Sequence, residues 1–217
     1  MNWVMFGHSH FFGDIFDLIQ DNNGTLSKVV LNAGELQTPG RPTMKERLNR
    51  LPLPVEIVHL DDWKAGYDER YVIGFTGKKM EPLVTDLKSR FKIWFFDALI
   101  HSRAIIQCGV TVSGGTMVDA GAIIGSWAKI GKHVILNRGS NVGHDCEIGD
   151  YSFVAPGATL CGHVKLGEGA YIGANATVIQ DIKIGAGSVV AAGAVVTHDV
   201  PDGVMVAGVP AMYKKKV

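Results

Sequence analysis

The sequence has little of what would mark several common classes of protein. Its three cysteines, Cys108, Cys146 and Cys161, are unevenly spaced and form no disulfide framework. That scarcity favours a reduced, cytoplasmic setting. The 21 basic and 21 acidic residues balance, so there is no electrostatic footprint for nucleic acid or for an anionic membrane surface. No apolar run is long enough to span a bilayer, and the first residues carry no basic stretch followed by a long apolar one. A soluble chain with neither nucleic-acid partner nor membrane span is the expectation.

What is present is a strict period. From Ile106 through Val112, Val118 and Ile124 to Val190 and Val196, an aliphatic residue occupies every sixth position without a slip. Two residues before each from Val112 onward stands a small or β-branched one, as at Thr116, Ala122, Ser140, Cys146 and Ala158. Glycine often follows the aliphatic residue, as at Gly125, Gly143, Gly149 and Gly173. Period six fits neither an amphipathic helix nor a hairpin sheet. It fits a triangular coil in which each hexad gives one short strand with two inward side chains, and glycine takes a corner where a Cβ would clash. Three hexads make a turn, so residues 18 apart stack, and Ile106 to Val196 spans five turns. At one strand spacing per turn this prism is roughly 24 Å long.

The pattern changes near residue 100, which argues for two domains, 1–97 and 98–217. The first reads as strand 2–6, helix 12–21 with Ile15, Phe16, Leu18 and Ile19 inward, strands 28–31, 55–60 and 71–75, helix 81–90 and strand 92–96. Strand and helix in alternation predict a small Rossmann-like parallel sheet. A ligand belongs at the carboxyl ends of its strands, where loop amides hold phosphate. The candidates are Gly7, His8 and Ser9 after the first strand, Asn32 after the second, and Gly77 and Lys78 after the fourth. Lys214, Lys215 and Lys216 read as a solvated tail.

The sharpest chemical constellation is the run from Asn137 to Asp150. His144 falls two residues after an inward aliphatic, at a corner, and so points out of the prism. Asp145 beside it can orient the imidazole and raise its basicity, as a general base requires. A metal reading pairs His144 and Cys146 with Cys161 and His163, but Cys146 is an inward residue and the 18-residue stacking predicts that the four side chains do not converge. No metal is expected.

Several motifs carry a closer likeness: Ile100-His101 at the prism entrance, the run Asn137 to Asp150 containing Val142-Gly143-His144-Asp145-Cys146, Ala155-Pro156-Gly157-Ala158 with Gly162 beyond it, and the closing Gly208-Val209-Pro210-Ala211. Here the chain resembles the hexapeptide-repeat sugar acetyltransferases of the sialic acid O-acetyltransferase NeuD/PglD family. The resemblance implies a left-handed parallel β-helix, a homotrimer and acetyl-CoA as co-substrate. It implies acetyl transfer to the amine of a nucleotide-linked amino sugar, such as a 4-amino-4,6-dideoxy sugar, in bacterial glycan biosynthesis. It assigns His144 as base, Asp145 as its support and Asn137 as a contact near the acceptor amine. It also implies an N-terminal nucleotide-sugar-binding domain, and an acetyl-CoA groove at the subunit seam past Phe153, Gly162, Ala174 and Ala192. Many members carry histidine where this chain has Phe153. An O-acetyltransferase acting on a sugar hydroxyl and a non-catalytic nucleotide-sugar-binding scaffold are the alternatives.

Overall fold

The computed structural model describes residues 1–7, 11–32, 42–77 and 79–217. The chain divides into two compact units, Met1–Phe75 with Pro82–Asp97, and Thr76–Glu81 with Ala98–Val217.

The first unit is a parallel sheet with flanking helices. Its elements are β1 (Asn2–Phe6), α1 (Phe12–Asp21), β2 (Thr25–Leu31), α2 (Met44–Leu48), β3 (Glu56–His59), β4 (Glu69–Ile73) and α3 (Met80–Phe91). The strand order is β3-β2-β1-β4, all parallel. In the two central strands Val4, Met5, Phe6, Val29 and Val30 are fully buried, the near-continuous apolar run expected of a parallel sheet covered on both faces. Helix α1 buries Phe12, Ile15, Leu18 and Ile19. Phe16, expected in that stripe, is only half-buried, and its ring stacks on Phe12 with centroids 6.2 Å apart.

Two features depart from the sequence expectation. Residues 92–96 form no strand: α3 ends where Lys92 takes a left-handed backbone (φ 58°), and the Ile93 amide turns back to the Leu87 carbonyl at 3.3 Å. The short α2 was not foreseen. Its signal was present as Thr43-x-x-Glu46, which forms a reciprocal capping box: the Thr43 amide donates to Glu46 Oε2 at 2.7 Å and the Glu46 amide to Thr43 Oγ1 at 3.2 Å.

The second unit is a left-handed parallel β-helix. Two-residue strands, one per hexad, stack into three faces of six, six and five strands, here faces I, II and III, and two longer C-terminal strands bring face I to eight. The chain visits them in that order, beginning on face I with Leu99–Ile100. The register is 18 residues throughout, as where Val142 pairs with Leu160 and Val154 with Ile172. Aliphatic and small inward residues fill the prism: Ile124, Leu136, Val142, Leu160, Ala158 and Ala176 are all inaccessible to solvent. At Thr116, Ser152 and Ser188 the small-slot hydroxyl serves a corner carbonyl of the adjoining coil, whereas Ser140 Oγ has no partner among the described residues. Thr116 Oγ1 donates to the Gly131 carbonyl at 2.6 Å, and Ser188 Oγ to that of Pro201 at 2.6 Å. A polar atom inside an apolar prism is thereby satisfied.

Close approach of successive coils explains the corner glycines. A Cβ on Gly143 would stand 2.6 Å from the Cys161 carbonyl carbon, so backbone occupies the space. Two residues further on, each coil turns through a left-handed residue. Glycine fills some of these positions, but Trp127, His133, Asp145, His163 and Asn175 take φ between 54° and 61°.

The C-terminal segment is not a solvated tail. Val204–Ala207 extends face I in parallel with Val189–Val190, and Met212–Lys216 pairs antiparallel to it as the outermost strand. Lys214, Lys215 and Lys216 are exposed on that strand, where lysine discourages further edge pairing.

Candidate active site

Each coil turns through three short loops, one at each edge of the prism, and the edge between faces II and III carries the reactive groups. His144 follows the face II strand Asn141–Val142, and Asp145 precedes the face III strand Glu147–Ile148. Both point outward, with side chains 58% and 40% exposed. His144 Nδ1 lies 2.8 Å from Asp145 Oδ2. A carboxylate there fixes the proton on Nδ1 and leaves the lone pair on Nε2.

The backbone holds this pair rigidly. The Asp145 amide donates to the Ser126 carbonyl at 2.9 Å, and the His163 amide to the His144 carbonyl at 2.9 Å. Asp145 has φ 57°, a conformation that a short polar residue adopts more readily than most. Gly162, one coil further, gives the imidazole its room: a Cβ there would stand 2.5 Å from His144 Nε2. His144, Asp145 and Gly162 therefore share one edge.

His163 joins them, and this corrects the expectation that His144 and His163 stand apart. Their rings meet edge to face with centroids 5.1 Å apart. One ligand atom each from His144, Asp145 and His163 lies within 4.8 Å of the others. The 18-residue register puts His163 above Asp145. Left-handed residues of this prism lean back over the coil before them, as Trp127 does over Gly109 and Asn175 over Gly157. Cys146 stays apart: it is buried, its thiol donates to the Cys161 carbonyl at 3.1 Å, and burial pushes its pKa up to about 11. A thiol so held is a poor nucleophile and a poor metal ligand at neutral pH.

The remaining prism candidates lie elsewhere in the chain. Asn137, Ala174 and Ala192 are on the edge between faces I and II, and Phe153 is on face I. Asn137 is fully buried, its Oδ1 accepting from the Arg138 amide at 2.7 Å while Nδ2 has no partner among the described residues. Phe153 is buried and stacks flat on Tyr171, centroids 5.0 Å apart. Ala174 is half-buried, its carbonyl taken by the Gly193 amide at 2.8 Å, and Ala192 is exposed. A single chain does not gather these four around His144.

In the first unit, Gly7 ends β1 with φ 71°, its amide donating to the Val30 carbonyl at 2.7 Å. A Cβ on Gly7 would lie 3.2 Å from Asn32 Oδ1, so these two candidates are neighbours at the carboxyl ends of β1 and β2. Gly77, which belongs to the second unit, has φ 79°. His8, Ser9 and Lys78 lie outside the described residues.

Comparison with known proteins matches residues 128–162 and 163–198 to the bacterial transferase hexapeptide model, described as six repeats. No curated protein matches the sequence. Among solved structures, the chain is similar over 100% of its length to 98% of a histidine-to-asparagine mutant of perosamine N-acetyltransferase from Caulobacter crescentus, in complex with CoA and GDP-perosamine. The identity is 26% and the TM-score 0.81. WeeI from Acinetobacter baumannii AYE is 26% identical, with 99% of this chain and 100% of that one covered and a TM-score of 0.80. The acetyltransferase domain of PglB from Neisseria gonorrhoeae, in complex with acetyl coenzyme A, is 24% identical with 98% of each chain covered and a TM-score of 0.79, and shows the shared fold.

Proposed function

We propose that this hexapeptide-repeat protein of the NeuD/PglD type transfers acetyl from acetyl-CoA to the amine of a nucleotide-linked amino sugar. The observation that carries the reading is the oriented His144–Asp145 pair on an open prism edge, in a chain similar from end to end to an N-acetyltransferase that binds CoA and GDP-perosamine. A 4-amino-4,6-dideoxy sugar is the acceptor class.

Nε2 of His144 takes a proton from the neutral sugar amine as it attacks the thioester carbonyl. The tetrahedral oxyanion collapses, the acetyl carbon keeps its new bond to nitrogen, and the CoA thiolate leaves with a proton from the imidazolium. No acyl-enzyme is needed, and Cys146 is unsuited to form one. Much of the acceleration comes from holding both substrates in line.

Because Asn137, Phe153, Ala174 and Ala192 stand away from His144, the site is completed at a seam of a homotrimer, where one subunit offers its II–III edge and a neighbour its I–II edge. Asn137, buried on the I–II edge with Nδ2 unpartnered among the described residues, is assigned to the acceptor side of that seam. In the N-terminal unit, Gly7 and Asn32, with His8 and Ser9 next in the chain, are the candidates for holding the nucleotide, by the rule that a parallel sheet takes phosphate at the carboxyl ends of its strands. The test is incubation with acetyl-CoA and UDP-, GDP- and dTDP-linked 4-amino-4,6-dideoxy sugars, following free thiol and product mass. Transfer to an amine supports the reading, transfer to a hydroxyl assigns an O-acetyltransferase instead, and nucleotide-sugar binding without transfer assigns a scaffold.

A further inference from the structure

We infer that His144, Asp145 and His163 form a binding site for a divalent transition-metal ion, of the zinc or cobalt type, whose occupation switches acetyl transfer off. The three ligand atoms lie within 4.8 Å of one another. Tetrahedral bonds of about 2.1 Å place ligand atoms about 3.4 Å apart, so modest side-chain rotations close the site. Such rotations are available because His144 and His163 are both exposed.

The donor set selects the ion. Two imidazoles and one carboxylate suit zinc, cobalt or nickel, whereas calcium and magnesium prefer all-oxygen shells. The scaffold prepares the set in advance: Asp145 and His163 occupy the same left-handed corner position of successive coils, and the His163 amide is tied to the His144 carbonyl at 2.9 Å. Exposure of the edge leaves the remaining position to water. No cysteine takes part, since Cys146 faces inward and keeps its proton.

The inhibitory consequence rests on the assignment of His144 as base: an imidazole whose lone pair is given to a metal accepts no proton. Binding of the ion does not depend on that assignment. His163 packs against the His144 ring, so a variant of it is judged by metal binding and by its response to metal, each against its own metal-free rate. Asparagine is the replacement of choice because it tolerates the left-handed backbone.

The experiment is a titration of the full-length protein, and of His163→Asn, with Co²⁺ by visible absorption and with Zn²⁺ against a chromophoric chelator, alongside acetyl-transfer assays. The expected result is one saturable equivalent per chain without thiolate charge-transfer absorption, weakened at least about tenfold in His163→Asn. Transfer by the parent protein falls in step with occupancy and returns on chelation, while transfer by the variant, measured against its own metal-free rate, resists the metal. Absence of saturable binding, binding indifferent to His163→Asn, or a thiolate signature overturns the site. Histidine-dependent binding that leaves transfer untouched overturns the switch and counts against His144 as the base, while the site itself stands.

Discussion

The imidazole of His144 lies over Gly162, so close that a single methyl group added there would stand 2.5 Å from Nε2. A glycine one coil away thus determines where the base points. This differs from Gly143, where an added Cβ would meet backbone of the next coil at 2.6 Å. The two substitutions are expected to fail differently. Gly162→Ala pushes aside a movable ring and lowers kcat by about 10-fold or more, through misplacement of the base, with the melting temperature little changed. Gly143→Ala forces successive coils apart and costs about 1–3 kcal/mol, read as a drop in thermal midpoint. Parallel losses of stability in both would remove the positioning role of Gly162.

His144→Ala is expected to lower turnover by roughly 10² or more while circular dichroism and oligomeric state stay as in the parent. The exposed side chain makes no contribution to the prism core, so the loss is chemical. Unchanged turnover would take His144 out of the mechanism.

The shared seam makes a prediction for mixed oligomers. His144→Ala and Asn137→Ala chains are each expected to be weak alone. Co-refolded in equal amounts, about a quarter of the seams in random trimers combine an intact II–III edge with an intact neighbouring I–II edge. Recovered activity of that order supports a site built from two chains, and recovery no greater than the two separate variants together rules it out.

Cysteine chemistry should follow burial. The Cys146 thiol is raised to about 11, so at pH 7 to 8 almost none of it is thiolate, and the fraction grows only as pH climbs toward that value. Iodoacetamide at pH 7.5 is expected to label exposed Cys108 first and leave Cys146 unmodified in the folded protein. Peptide mass mapping reads the order, and early labelling of Cys146 would show that the prism opens there.

The sequence alone determined the prism. A side chain of one kind at every sixth position implies a triangular coil that buries all of them, though not its hand, and the 18-residue register follows by counting, with His144 turned outward at its corner. Alternating apolar segments likewise specified the parallel sheet and the span of α1. Local cues were legible but missed at Thr43 and Glu46, whose spacing already spelt a cap. The end of α3 was not legible, because Lys92 in a left-handed turn looks in sequence like the start of one more apolar strand.

Only the tertiary structure decided how the candidate residues are distributed. Counting hexads tells which residues stack, but not how side chains lean, and the left-handed backbone at Asp145 and His163 swings the second histidine onto the first. The assignment of corners to edges separated Asn137, Ala174 and Ala192 from His144 although they are close along the chain or share its repeat. Side-chain direction depends on the backbone torsion at each corner and on the space left by the next coil, and both arise only when the coils are stacked.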